Sequence, residues 1–411
     1  MLAALAGAAG CGAGSSAEPT PAELTVELQA LLDRRAEALD RGDTGAYLAP
    51  LAPAAREVET PLAEGAAAVP AGEFSFLISE RAIPSGLLPA TGIPVSLNYR
   101  YEGLPADNVF SVPLVYRVDR TGSELVVTDS QPGAGPVPMW ATGPVQATFS
   151  EHFLALSRPD LDDVQDILST AEQARRELEQ ALPFELDSRF LVVLAADELE
   201  YVRFVPPGGM VAGPRVAQAN ISFRATPEQF HVEGRHILVN LETLARERTG
   251  LQTFIHELAH LALAEVTRPI TPGWVAESAA MWLAGQKTNW TERVATGNFE
   301  DLSFAELSRT RQLGEDDPSG QAAALQYSYA AGAAGYLIET FGADDYWAFY
   351  RSYADVPPQV LYQSLPAGGD TGGDALGDLA ARVTGEQLRE IFGLTEAELD
   401  VEVRNWIRQN R

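Results

Sequence analysis

Hydrophobic and polar positions along the first third of the chain predict helices followed by strands. Apolar residues recur at helical spacing through residues 23–40, which predicts an amphipathic helix that ends before Gly42. A second short helix is predicted to carry Tyr47 and Leu51. Stretches of alternating or continuous apolar residues then predict strands at 74–81, 95–101, 109–118 and 124–129. The turn at 120–123 joins the last two of these strands into a hairpin.

A stretch rich in glycine and proline at 133–144 separates this part from the rest, and we place a domain boundary there. Apolar spacing predicts a long helix after Pro159, and a continuous apolar run predicts a buried strand at 189–196. Further candidate strands lie at 211–223 and 236–241. The C-terminal part favours helices, predicted at 321–341, 343–354, 376–391 and 395–409. Strands followed by helices are typical of an α+β fold.

Residues 23–135 resemble the nuclear-transport-factor-2-like superfamily in the order of their elements, a helix, a turn and an antiparallel meander. The resemblance implies a small helix-plus-antiparallel-sheet domain with a cone-shaped pocket. We find no catalytic set of residues in this part of the sequence. We therefore expect an accessory domain, and the alternative is a ligand-binding or regulatory protein that acts through this domain.

The charge of the chain limits its partners. Among 411 residues, 57 are acidic and 29 are lysine or arginine, which gives a formal net charge of −28. Such a surface repels phosphates, so the composition argues against nucleic acid or anionic lipid as a partner. No stretch after residue 11 reaches the roughly 18–20 apolar residues that a membrane-spanning helix needs.

The single cysteine, Cys11, follows a short apolar run and precedes a Gly/Ser-containing tether within residues 1–22. This segment resembles the end of a bacterial lipoprotein signal, in which the cysteine becomes the lipidated N-terminus. The resemblance implies an extracytoplasmic protein that is anchored to the bacterial cell membrane through Cys11. The alternative is a disordered N-terminus with an incidental cysteine.

The candidate chemistry begins with the sequence H-E-L-A-H at 256–260. A helix advances about 100° per residue, so His256 and His260 lie on one helix face and can reach one metal ion. Glu257 is turned away from that face, where it can take a proton from a water molecule at the metal. This spacing therefore predicts a metal site with an adjacent general base.

A catalytic zinc ion usually takes three protein ligands, so one more must come from elsewhere. Pro272 and Gly273 open a second predicted helix, which carries Glu277 near its start. Two antiparallel helices joined by a short turn can bring Glu277 to the metal. Glu265 is the rival third ligand, and we rank it lower because it is turned about 140° from His260 on a continued helix.

At this point the chain resembles the gluzincin branch of zinc metallopeptidases, which are thermolysin-like or peptidase-MA-like enzymes, over residues 143–411. H-E-L-A-H matches the HExxH motif of the family. P-G-W-V-A-E-S-A-A-M-W-L-A at 272–284 matches the helix of the form W-x-x-E-G-x-A that follows it. The resemblance implies a zincin-like α+β domain, with a mixed sheet and a helical C-terminal part, that hydrolyses a peptide or protein substrate.

The same resemblance implies a role for each matched residue. The two histidines and Glu277 would bind Zn²⁺, and Glu257 would act as general base and proton shuttle. In the family an edge strand aligns the peptide backbone above the metal, and here 211–223 or 236–241 are the candidates. The sequence contains no motif that captures a free N-terminus, so endopeptidase and exopeptidase action both stay open.

Two departures from the family pattern affect the helix that carries Glu277. Ser278 stands where glycine is usual, and Met281 or Trp282 occupies a position where some members carry an acid that supports a histidine. Loss of such a supporting group lowers metal affinity or activity. A catalytically inactive zincin-fold binding protein is therefore the alternative to a peptidase.

A tyrosine near the start of the helix at 324–342 is the last candidate. This helix is similar to a downstream helix of the family, and on that alignment Tyr327 is the tyrosine whose hydroxyl can stabilise the oxyanion. Tyr329 is the nearby alternative, and packing within an alanine-rich interface is a third possibility. The remaining histidines, which lack ligand spacing and are expected to be structural, are His152, His231 and His236.

Overall fold

The computed structural model describes residues 21–78, 92–133, 135, 137–205, 215–246, 249–286, 299–314, 321–364 and 373–410. Within these ranges the chain forms two β-sheets with helices packed against them, which confirms a fold of mixed helix and sheet. Cys11, the end of the strand predicted at 74–81 and the start of the one predicted at 211–223 lie outside the described residues.

The N-terminal unit consists of helices followed by an antiparallel meander. Its helices are α1 (Pro21–Asp40), α2 (Thr44–Leu48) and α3 (Pro53–Ala68). Its strands are β1 (Ala71–Ile78), β2 (Ile93–Tyr101), β3 (Phe110–Thr121) and β4 (Glu124–Pro132), which pair in that order. Alternate residues of β2 are buried, so the period-two pattern of the sequence is confirmed.

Helix α3 was not predicted from the sequence. Its buried positions are largely alanines, which give a weak apolar signal, and Pro61 lies inside the helix. Burial against β4 and against the turn at Met139–Thr142 stabilises it. The helix therefore depends on tertiary packing more than on its own sequence pattern.

The second sheet has the strand order β5-β6-β7-β9-β8. Its strands are β5 (Gln146–Phe149), β6 (Phe153–Ser157), β7 (Phe190–Ala195), β8 (Ala217–Ala225) and β9 (Phe230–Asn240). The three central strands β6, β7 and β9 are parallel, and the outer strands β5 and β8 are antiparallel to their neighbours. The alternative that 236–241 forms the edge strand is wrong, because β9 lies between β7 and β8. Strand β8 is at the edge.

Helices surround this mixed sheet and continue to the C-terminus. Within the described part of the chain, four of these helices precede the one that carries Glu277. They are α4 (Val164–Ala181), α5 (Glu198–Phe204), α6 (Leu241–Arg246) and α7 (Gly250–Ala262). The others are α8 (Gly273–Leu283), α9 (Phe304–Leu307), α10 (Gln321–Phe341), α11 (Ala343–Ser352), α12 (Pro358–Ser364), α13 (Gly373–Gln387) and α14 (Glu396–Gln409). Among the helices of the described ranges, none combines the length and the apolar character needed to cross a membrane.

The mixed sheet is buried on both faces, and its two faces belong to different cores. Along β7, Phe190, Val192 and Leu194 contribute to the core formed with the helices. Leu191 and Val193, which alternate with them, contribute to the core of the N-terminal unit. Strands covered on both sides read as continuous apolar runs, which is why 189–196 was recognised as buried. The N-terminal unit thus covers one face of the sheet whose other face supports α7.

Candidate metal centre

Helix α7 presents two histidines from a buried helix. Its apolar side chains fix it against α4 and the mixed sheet; these residues are Phe254, Ile255, Leu258, Ala259 and Leu261. His256 and His260 lie one turn apart, with side chains 14% and 15% exposed. Their rings meet edge to face, with centroids 4.9 Å apart. The spacing of the two histidines in the sequence therefore places both imidazoles on one face of a rigid helix.

The sequence Pro272-Gly273-Trp274 fixes the start of α8. A Cβ atom at position 273 would lie 2.7 Å from the carbonyl oxygen of Arg311, so only glycine permits this close approach. Trp274 is fully buried, and its indole N–H donates a hydrogen bond to Ser308 Oγ at 3.2 Å. These contacts set the direction of the helix and carry Glu277 toward α7.

Three donor atoms from α7 and α8 converge on one point. Glu277 Oε2 lies 3.1 Å from His256 Nε2 and 3.5 Å from His260 Nε2. The two Nε2 atoms are 3.2 Å apart. Ligand atoms held about 2.0–2.2 Å from a zinc ion at tetrahedral angles are about 3.3–3.6 Å apart. The triangle of donors therefore has nearly the dimensions of a tetrahedral zinc site.

Hydrogen bonds alone do not account for this triangle. His256 Nε2 has two partners, His260 Nε2 and Glu277 Oε2, but a ring nitrogen has only one in-plane lone pair or proton. In the described part of the chain, these residues are the only group of three or more histidine, cysteine or acidic residues whose metal-binding atoms all lie within 4.8 Å of one another. The donor set, two imidazoles and one carboxylate, is one that catalytic zinc sites use.

The electrostatics of the triangle favour a positive charge. Burial raises the pKa of Glu277, but the charge of His260 and hydrogen bonds from both histidines outweigh it and hold that pKa well below its usual range. Burial lowers the pKa of His256, while the hydrogen bond to Glu277 and the charge of Glu257 raise it, with a net rise. Both shifts have one cause, the closeness of the imidazoles to carboxylates, which favours the charged form of each partner.

Glu257 lies beside the triangle and contacts the edge strand. Its side chain is buried, and its Oε2 accepts a hydrogen bond of 2.6 Å from the backbone N–H of Ala219 in β8. This contact joins the residue predicted as general base to the edge strand of the mixed sheet. No sequence pattern indicates this contact, because the two residues are 38 positions apart.

A cleft of about 530 Å³ opens over the donor triangle. Residues of β8, α7, α8 and α10 line it. Tyr327 of α10 lines this cleft. Tyr329 does not, because it is fully buried, donates a hydrogen bond to Asp400 Oδ1 at 2.8 Å and stacks on Phe304. The alternative that Tyr329 assists at the site is therefore wrong.

The two departures from the family pattern have different structural consequences. Ser278 is buried, and its hydroxyl is hydrogen-bonded to the hydroxyl of Tyr346 at 2.7 Å and to the carbonyl of Val275 at 3.0 Å. The serine is therefore accommodated. Met281 is fully buried, and the Nδ1 atom of His256 is buried without a hydrogen-bond partner among the described residues. The ring of His256 thus lacks the support that an acid on α8 would give it.

The other candidates lie away from the triangle. Glu265 accepts a hydrogen bond from Arg235 at 3.0 Å and is not part of the donor triangle. His152 is hydrogen-bonded to Glu172 at 2.8 Å, and His236 is hydrogen-bonded to Asn220 at 3.1 Å. These two histidines have structural partners. The cleft also contains Arg215, which the sequence analysis did not single out.

The chain matches no protein-family model and no curated protein. Among solved structures it is similar to an M1 zinc metallopeptidase from Deinococcus radiodurans, with 15% sequence identity, 82% of this chain and 70% of that chain covered, and a TM-score of 0.33. It is also similar to a point mutant of an M1 zinc metallopeptidase from Deinococcus radiodurans bound to a Tyr-Ser-Ala substrate, at 14% identity and a TM-score of 0.32. That match covers 81% of this chain and 61% of the other, so the chain spans less than two thirds of the second protein.

Proposed function

We propose that the chain is a zinc-dependent peptidase that hydrolyses peptide bonds in a peptide or protein substrate. The observation that carries the proposal is the convergence of His256 Nε2, His260 Nε2 and Glu277 Oε2 within 3.5 Å of one another. These three residues would hold the Zn²⁺ ion. A zinc ion bound there supplies Lewis acidity, which polarises a carbonyl group and lowers the pKa of water.

Glu257 performs the proton transfers in this proposal. It removes a proton from water as the water attacks the scissile carbonyl carbon, and it then passes that proton to the leaving amine. The proposal is supported by the position of its carboxylate beside the donor triangle, where the Ala219 amide fixes one of its oxygens. A carboxylate fixed in this way needs little rearrangement before the proton transfer.

Strand β8 and Tyr327 position the substrate. An extended peptide adds to the exposed edge of β8, and the backbone hydrogen bonds of that strand hold the scissile bond over the metal site. The hydroxyl of Tyr327, which also lines the cleft, donates to the oxyanion of the tetrahedral intermediate. Burial raises the pKa of Tyr327, so the hydroxyl keeps the proton that this role requires.

The remaining assignments rest on the sequence. We propose that Cys11 is the site of lipidation and that the protein is extracytoplasmic. Residues 23–135 are proposed to form an accessory domain and residues 143–411 the catalytic domain. The accessory role is supported by the packing of the N-terminal unit on one face of the mixed sheet, where Leu191 and Val193 of β7 belong to the core of that unit.

A zincin-fold protein that binds peptides without cleaving them is the second candidate. The observation that favours it is the buried Nδ1 atom of His256, which has no hydrogen-bond partner in the described ranges. A metal-ligating histidine usually donates its second ring N–H to a carboxylate or carbonyl, and loss of that partner lowers metal affinity or activity about 10–100-fold. A peptide-binding protein would tolerate this loss more readily than an enzyme.

Hydrolysis of an unfolded, fluorescently labelled protein by the zinc-loaded full chain tests the proposal. We expect Glu257→Gln to reduce the rate about 10²–10⁴-fold, because the general base is lost, while zinc content stays unchanged. Glu265→Gln is the matched control, since Glu265 contacts Arg235 and lies outside the cleft. Hydrolysis that survives Glu257→Gln would contradict the mechanism. Zinc binding without any hydrolysis would favour the binding protein.

A further inference from the structure

The cleft over the metal centre contains an arginine that forms no salt bridge with any described residue. Arg215 lies just before β8 and is partly exposed. Its guanidinium group donates a hydrogen bond to the amide oxygen of Gln218 at 3.4 Å, a neutral partner. In a chain with a net charge of −28, acidic residues are abundant. An arginine with no acidic partner in the described ranges is therefore unexpected at this position.

Arg215 is close to the catalytic groups. It lines the same cleft as Glu257 and Tyr327. Burial raises the pKa of Tyr327, and the charge of Arg215 and its hydrogen bond to the tyrosine oppose that rise. The guanidinium group is thus within hydrogen-bonding reach of the tyrosine hydroxyl, at the part of the cleft where the scissile bond would lie.

The charges that line the cleft distinguish between two kinds of substrate anchor. A site that binds a free amino group needs a carboxylate that is not already a metal ligand or a general base. Among the described residues that line the cleft, the acids are Glu257 and Glu277, and both belong to the metal centre. A guanidinium group has a planar array of donors that matches a carboxylate, often through two parallel hydrogen bonds. The cleft is therefore built to accept a negative rather than a positive group.

We propose that Arg215 binds a carboxylate of the substrate close to the scissile bond. The carboxylate belongs either to the C-terminus of a short peptide or to an aspartate or glutamate side chain. This inference rests on the proposed function of the cleft and adds the substrate class, peptides with an acidic group next to the cleavage site. Arg215 acts here as a specificity-determining residue.

Peptide binding to the zinc-loaded full chain carrying Glu257→Gln tests this proposal without turnover. The probes are three N-acetylated tripeptides: a neutral C-terminal amide, the same peptide as a C-terminal acid, and an amide in which one residue is glutamate. Isothermal titration calorimetry gives the Kd of each. We expect one acidic peptide to bind about 10- to 100-fold more tightly than the neutral one, and the better of the two identifies the source of the carboxylate.

Substitution of Arg215 provides the decisive comparison. Arg215→Gln removes the difference between acidic and neutral peptides, and Arg215→Lys retains part of it because the charge remains. Arg224→Gln is the matched control, because Arg224 lies on the same strand, pairs with Glu233 at 2.7 Å and does not line the cleft. Zinc content and the far-ultraviolet circular dichroism spectrum verify that each variant is folded.

Three results would overturn the proposal. In the first, the parent binds all three peptides equally or binds none of them. In the second, the preference for the acidic peptide survives Arg215→Gln, which would assign the carboxylate to the metal. In the third, Arg215→Gln weakens all peptides by the same factor, which would make Arg215 a support for Tyr327. Hydrolysis of the neutral peptide by the chain with Glu257 intact, measured in parallel, shows whether the proposed peptidase function stands when the carboxylate preference does not.

Discussion

Two clusters of buried ionisable groups, one in each unit, differ in the balance of their charges and hydrogen bonds. In the N-terminal unit, Arg35 and Glu59 form a salt bridge with side chains that are 1% and 0% exposed. Tyr116 accepts a hydrogen bond from Arg35 at 2.9 Å, and Tyr47 donates one to Glu59 at 2.5 Å. Apart from Glu59 Oε1, the cluster pairs its donors and acceptors internally.

In the candidate metal centre, by contrast, lone pairs are in excess over the groups that could neutralise them. His256, His260 and Glu277 point three lone-pair-bearing atoms at one another, with no cationic side chain between them in the described part of the chain. Buried polar groups need partners, and buried charges need neutralisation. A cluster that satisfies itself is part of a core, whereas a cluster with an excess of lone pairs is suited to a cation. This difference separates a structural cluster from a candidate binding site.

Substitution of Arg35 tests the structural cluster and has the largest expected effect on stability. Arg35→Met leaves the Glu59 carboxylate buried without its counter-charge, which costs about 3–5 kcal/mol in the free energy of unfolding. Urea denaturation measures the change, and zinc content should be unaffected. The double variant Arg35→Met/Glu59→Leu is expected to recover much of the loss, because both charges are removed together. A single variant within about 1 kcal/mol of the parent would contradict this account.

Two tyrosines two positions apart in α10 test the boundary between the site and the core. Tyr327→Phe is expected to lower kcat about 10²–10³-fold without loss of zinc, because one oxyanion donor is lost. Tyr329→Phe removes the hydrogen bond to Asp400 and is expected to cost about 1–3 kcal/mol of stability while kcat stays near that of the parent. Steady-state kinetics and urea denaturation separate the two effects. A larger loss of kcat in Tyr329→Phe than in Tyr327→Phe would refute the assignment.

His236 is a third kind of buried ionisable group, one that is kept neutral. Burial lowers the pKa of His236 to about 4, although its hydrogen bond to the Gly234 carbonyl acts in the opposite direction. The unfolded chain, with a histidine pKa of about 6.5, binds a proton first as the pH falls. The folded state is therefore stabilised relative to the unfolded state by the neutral His236 above about pH 6.5. This contribution to the free energy of unfolding falls by up to about 3 kcal/mol between about pH 6.5 and pH 4.

Removal of the histidine isolates this contribution from that of the acids that titrate in the same range. Urea denaturation at pH 7 and at pH 4.5 gives the free energy of unfolding of both proteins. We expect this free energy to fall less between the two pH values in His236→Gln than in the parent. Parallel pH profiles for parent and variant would show that His236 does not contribute.

Local patterns account for the parts of the fold and site that the sequence predicted. The spacing of His256 and His260 and the Pro-Gly-Trp start of α8 act within a few residues, so both helices could be located. The alternation of apolar and polar residues along β2 likewise indicates which of its faces is buried. Strands β5 and β6 were missed because they are four and five residues long, too short for a period to emerge.

Contacts between distant residues explain what the sequence did not reveal. Arg35 and Glu59 are 24 residues apart, and neither belongs to a recognisable motif. Tyr329 is excluded from the cleft by Asp400, 71 residues further along the chain. Arg215 acquires its position only when β8 takes its place at the edge of the sheet. Each of these outcomes depends on tertiary packing, which single-sequence patterns do not encode.

The zinc content of the purified full chain, measured beside that of Glu277→Ala, tests the central claim most directly. After loading at neutral pH and removal of free metal, we expect about one zinc ion per chain in the parent and little in the variant, because a three-ligand site has lost its carboxylate. An equal zinc content in the variant would remove Glu277 from the site. A parent chain without zinc would mean that the two histidines only occupy the face of a buried helix, and the proposed peptidase function would fail with it.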